Sequence, residues 1–158
     1  MFHAKLAAYP GHVLAPRREP IDRTFHGLLV TGLLEDIRAG GPHTLIAPTN
    51  AAYDALPWAF EDLVYDGALA EARFDLFEYL VVRGDWYGGG PVSERKTVEG
   101  TPLRIGHGLV LGRQGTATIL RSFESDNLRV HVVDACILPV SLGNYIAVRD
   151  EVYTAQLC

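Results

Sequence analysis

Two cysteines, one methionine and no apolar run near the ~20 residues that a bilayer crossing needs are the first limits this 158-residue chain sets on itself. So few cysteines exclude a disulfide scaffold. A bridge from Cys136 to Cys158 would tie a strand interior to the last residue, so both are expected as thiols, with Cys136 a small core side chain. Positive charge is also scarce: 14 Lys and Arg stand against 19 Asp and Glu, a formal net charge of −5. The densest basic spots, Arg17-Arg18 and Arg95-Lys96, are too short to follow a phosphate backbone, which excludes nucleic acid as a partner. No Gly-x-Ser-x-Gly elbow, Cys-x-x-Cys pair or Walker loop occurs, and the six histidines include no pair at zinc-site spacing. No metal or cofactor is therefore expected. The first 20 residues offer only Leu6-Ala7-Ala8 as an apolar trio, short of the about 7–15 residues of a secretory signal. The expectation is cytoplasmic if Met1 is the true start, and extracellular if a leader was removed.

What the chain has is enough apolar content, 48%, for one domain with its own core. Two stretches organise it. In Thr44-Leu45-Ile46-Ala47-Pro48-Thr49-Asn50, a strand-like run meets a proline that cannot donate to a ladder, and Thr49 and Asn50 are placed to cap a following helix. In Asn127 to Pro139 the longest strand-like run of the chain, 128–138, also stops at a proline. The two are expected to meet in one core.

Between and around them the patterns run from helical to extended. Residues 1–24 read as an arm laid over the domain. Apolar residues at Leu29, Leu33 and Ile37 predict helix from Thr24, as cap, to Ala39, with Gly32 dividing it and Gly40-Gly41 ending it. Helical segments follow at 51–56, 58–65 and 68–79, then strand character at Leu80-Val81-Val82 and a glycine-rich loop from Gly84 to Pro91. The rest is β: a hairpin of 97–99 and 103–105 about Gly100-Thr101, then strands at 109–111, 116–123 and 128–138, and an edge strand at 144–153. Helices first and strands afterwards predict an α+β fold. The tail, 140–158, is expected to pack on the same domain, and the protein to be a monomer or weak homodimer.

The order and spacing of these stretches resemble the fasciclin-like domain family. Thr44 to Tyr53 is similar to its first motif, Asn127 to Pro139 to its second, and Leu76 to Val82 to its mid-domain element, over about Phe25 to Pro139. The resemblance implies a β-sheet wedge with a layer of helices, and assigns Thr44, Pro48, Thr49, Asn50, Asn127, His131, Asp134 and Pro139 to the structural motifs. The chain departs from the family pattern at Leu80, where a histidine is usual, and at Leu128, where a glycine follows the asparagine. Ser122-Phe123-Glu124 and Tyr79-Leu80 stand where integrin-binding members carry other pairs, which weighs against integrin-type adhesion.

The resemblance implies a non-catalytic binding or adhesion-type module with a protein or small-molecule ligand. The alternative is a cytoplasmic small-molecule-binding protein or enzyme on the same fold, with a pocket near Trp86-Tyr87. Those two aromatics, on a loop flanked by glycines, are the candidate ligand-binding residues; otherwise both rings plug the domain. His131, His107 and Tyr79 are the candidate proton-transfer groups. For His131 the preferred reading is a core histidine satisfied by a backbone group or by the Thr49 hydroxyl; the other is a general base oriented by Asp134, which strict alternation puts on the opposite face. His107, between Gly106 and Gly108, reads as an exposed turn.

Overall fold

The computed structural model describes residues 19–139. Cys158, the 144–153 strand and the packing of the 1–24 arm before Glu19 and of the 140–158 tail all lie outside the described residues. Four α-helices precede most of the sheet, in the expected α+β order: α1 (Asp22–Val30), α2 (Leu33–Ala39), α3 (Phe60–Tyr65) and α4 (Ala70–Glu78). The strands are β1 (His43–Pro48), β2 (Val81–Arg83), β3 (Ser93–Lys96), β4 (Pro102–Gly106), β5 (Leu109–Leu111), β6 (Thr116–Ser125) and β7 (Leu128–Val133). Short 3-10 turns at Asn50–Ala55 and Gly67–Leu69 join them.

Gly32 divides the first helical stretch as expected, because it takes the left-handed conformation (φ 80°) that a β-carbon disfavours. Thr24 does not cap it. The helix begins at Asp22, and the Thr24 hydroxyl is buried, donating to the Pro48 carbonyl at 2.9 Å and meeting the Tyr53 hydroxyl at 2.7 Å. At Gly27 the helix passes so close to α4 that an added β-carbon would lie 2.0 Å from the Phe77 ring. The expected helix at 51–56 is a 3-10 turn. Thr49 caps it by accepting from the Ala52 amide, but Asn50 serves another helix, accepting from the Arg23 amide at 3.0 Å and donating to Asp22.

The two organising stretches do meet: β1 and β7 pair in parallel, from His43 opposite Leu128 to Pro48 opposite Val133. Every residue of β1 is buried, as a strand flanked on both sides should be. The sheet order is β2-β1-β7-β6-β5-β4-β3. Its ends curl toward each other: Val82 bridges Thr97, and the Val98 amide donates to the Val81 carbonyl at 2.8 Å, so the sheet nearly closes into a barrel. Inside, Ile105, Val110 and Ala117 stand in register across β4, β5 and β6, all buried. One contiguous core joins them to Leu45 and Val130 and to Leu28, Leu63 and Leu76 of the helices.

Three boundaries differ from the sequence reading. The hairpin about Gly100 is present, but its first strand is Ser93–Lys96, all exposed, and 97–101 forms the turn. The strand expected over 128–138 ends at Val133, because the Asp134 carboxylate turns back to accept from the Thr118 amide at 2.8 Å. Only Leu138 returns to the sheet, through a single bridge to Gln114. Cys136 therefore lies beyond the strand, half-buried against the core as a free thiol, its pKa pushed up to about 12 by burial.

Candidate functional site

The gap between β2 and β3 is crossed by the segment after Gly84, and the side chains that hold this segment build the site. Gly84 adopts φ 92°, which lets the chain turn sharply out of β2. The Thr44 hydroxyl on β1 then acts twice, donating to the Gly84 carbonyl and accepting from the Trp86 amide, each at 2.8 Å. Trp86 is only 2% exposed, and its indole N–H donates to the Ser93 hydroxyl on β3 at 2.9 Å. The Arg95 guanidinium lies 5.8 Å from the indole ring, in cation–π reach.

His131 supplies the last fastening. Its Nε2 lies 2.9 Å from the Trp86 carbonyl oxygen, which can only accept, so Nε2 carries the proton. Nδ1 then accepts from the Ser122 hydroxyl at 2.6 Å. Burial is the largest influence on the imidazole and pushes its pKa below the ordinary 6.5; the bond to Trp86 opposes this in part. The backbone partner expected of a core histidine is thus found. The Thr49 hydroxyl is engaged instead with Ala52, and Asp134 is exposed and engaged with Thr118, so neither orients the ring.

Tyr87, the next residue, points the other way and is 71% exposed. The Arg129 guanidinium sits 5.1 Å from its ring centroid. Asp85 takes two hydrogen bonds from that guanidinium, one of them at 3.2 Å, and Glu124 pairs with it as well. The bond to Arg129 is the main reason the Asp85 carboxyl titrates below its usual range. Gly89 folds over the ring edge, where an added β-carbon would lie 2.5 Å from the Tyr87 ring. So the two adjacent aromatics divide the expected roles: Trp86 is the plug, and Tyr87 is presented to solvent on a charged support.

The remaining candidates are dispersed. Tyr79 is buried; its hydroxyl accepts from the Arg113 amide at 3.4 Å, and burial raises its pKa. His107 occupies the exposed turn expected of it, at φ 55°, and its amide reaches the Gly90 carbonyl at 3.2 Å, at the foot of the Tyr87 loop. Asn127 receives the His43 amide on its carbonyl at 2.9 Å. Asp126 takes the left-handed turn position (φ 54°), so Leu128 is free to begin β7 where the family pattern has glycine. Pro139 is buried. Among the described residues no three His, Cys, Asp or Glu side chains converge into a set that could hold a metal ion, and no helix is long and apolar enough to cross a membrane.

Sequence reasoning missed Ser122, the double role of Thr44, and the Arg129–Asp85–Glu124 set. A signal existed for part of it: Glu124 and Arg129 flank a tight turn and face each other across β6 and β7. Nothing in the sequence pointed to Asp85.

Comparison with known proteins agrees with this architecture. The FAS1 domain pair of the insect cell adhesion molecule fasciclin I superposes with a TM-score of 0.55 at 14% identity, covering 77% of this chain and 46% of that one. The immunogenic proteins MPB70 of Mycobacterium bovis and MPT70 of Mycobacterium tuberculosis are each 27% identical over 108 residues, which is 67% of this chain. The chain spans about half the length, 54%, of these curated relatives. The family model of the fasciclin domain matches residues 23–139, which take in the helices and strands of the described residues apart from the first residue of α1, and the chain belongs to the fasciclin domain family.

Proposed function

We propose that this domain is a non-catalytic binding module of adhesion type, and that its contact surface is centred on Tyr87. The carrying observation is the contrast between neighbours. Trp86 is fastened through its amide, its carbonyl and its indole nitrogen, and Tyr87 stands out beside it with its ring on Arg129. A large aromatic held in one orientation before contact loses little entropy on binding, and such residues anchor protein interfaces. The proton-transfer candidates support the same reading. Both His131 ring nitrogens are engaged, and Tyr79 is buried with a raised pKa. Neither shares a hydrogen bond with His107.

The relatives point in this direction as well, since fasciclin I is named a cell adhesion molecule. The test is attachment of cells of the source organism to wells coated with the wild-type domain or with Tyr87→Ala at equal density. Attachment well above uncoated wells, reduced at least fivefold by the substitution, is the expected result. Equal attachment to both coatings would remove Tyr87 from the contact surface, and none to either would remove the adhesion reading.

A further inference from the structure

The helical part of the molecule is charged unlike the sheet. Residues 19–80, which hold the four α-helices of the described residues, carry eleven Asp and Glu against three Arg, a balance of −8, whereas residues 81–139 come to +1. On this acidic side lies an apolar patch. Leu29 is 58% exposed and Tyr65 is 65% exposed. His26 ties them together: its Nε2 is 2.7 Å from the Tyr65 hydroxyl and the rings meet edge-on at 5.7 Å, while Leu29 and Val30 follow His26 by one helical turn. Glu61 and Asp62 precede Tyr65 by one turn on α3.

We propose that residues 1–18 of the chain itself dock on this patch. Their chemistry is its complement. They contain Lys5, Arg17 and Arg18 with no Asp or Glu, and the apolar residues Phe2, Leu6, Tyr9, Val13 and Leu14. They also join the fold at the right place. The Pro20 carbonyl accepts from the Asn50 amide at 2.8 Å and Ile21 is buried, so the segment reaches the domain at the first turn of α1. From Asp22 the helix rise puts His26 about 6 Å and Leu29 about 10 Å along the axis. Eighteen residues can extend to about 60 Å, so reach does not limit the contact. The apolar side chains cover Leu29 and Tyr65, and the arginines sit against Glu61 and Asp62.

Hydrogen–deuterium exchange on the full chain tests this. At low salt, amides within 1–18 are expected to exchange at least tenfold more slowly than in the isolated 1–18 peptide. The protection should fall in 0.5 M salt, in Leu29→Glu, and in Arg17→Glu/Arg18→Glu, with the fold of each variant checked by its urea midpoint. Peptide-like exchange in the wild type at low salt would overturn the proposal. So would protection that survives both variants, which would place the segment elsewhere, or protection that appears only at high protein concentration, which would mark a second copy as the occupant.

Discussion

His131 and Trp86, 45 residues apart in sequence, are joined by a hydrogen bond from the imidazole Nε2 to the backbone carbonyl at 2.9 Å. The bond fastens the segment that spans the gap in the sheet. His131→Ala leaves that buried carbonyl without its donor and opens a cavity, so a loss of about 2–4 kcal/mol is expected in urea denaturation. Trp86→Phe, which gives up the bond to Ser93 and part of the buried ring, should lose about 2–3 kcal/mol, and Trp86→Ala about 3–5 kcal/mol. An unchanged urea midpoint for His131→Ala would show that the histidine is not a fastening.

The same histidine makes stability depend on pH in a stated direction. Its pKa in the fold lies below the unfolded value near 6.5, so below that pH the unfolded chain binds the extra proton. Stability is full above about pH 6.5 and falls as the pH drops through the folded value. His131→Gln, which does not titrate, should lose this part of the slope while keeping the acid limb due to carboxylates. Identical pH profiles for the two proteins would refute the assignment.

Gly27→Ala tests the contact between α1 and α4. The added carbon would lie 2.0 Å from the Phe77 ring, which is fully buried. Although alanine is the better helix former, overpacking should dominate, with a loss of about 3 kcal/mol. Calorimetry reads this directly, and a gain in melting temperature would contradict the packing described.

Tyr87→Ala should leave stability within about 0.5 kcal/mol of wild type. The ring is exposed, and Asp85 and Glu124 still hold Arg129 without it. A larger loss by thermal melting would mean that Tyr87 is part of the packing, and any effect on attachment would then be indirect.

Cys136 should be nearly inert to iodoacetamide at pH 8 in a Cys158→Ser background. A pKa of about 12 instead of 9.0 leaves roughly a thousandfold less thiolate, and alkylation should slow in proportion until urea unfolds the chain. Rapid alkylation of the native protein would sink the prediction.

These residues also show what a sequence can disclose. The Pro48 stop, the Thr49 cap and the Gly32 break follow from backbone chemistry that each residue carries with it, and all three are present. Asn50 was legible as a cap, but not as the cap of a helix 27 residues earlier, because that depends on how elements pack. Trp86 and Tyr87 were legible as a pair. Which one is buried turns on the Thr44 hydroxyl and His131, both remote in sequence. Strand β3 escaped notice because Ser93–Lys96 is exposed throughout and has no alternation to read.

The parallel pairing of β1 with β7 has a consequence for biosynthesis. The partner of Thr44 is Arg129, so the strand at the centre of the domain has no neighbour on one side until some 85 further residues have left the ribosome. Through that interval Leu45 and Ile46 are open to chaperones or to other nascent chains, and completion of the sheet waits on almost the last translated stretch of the domain.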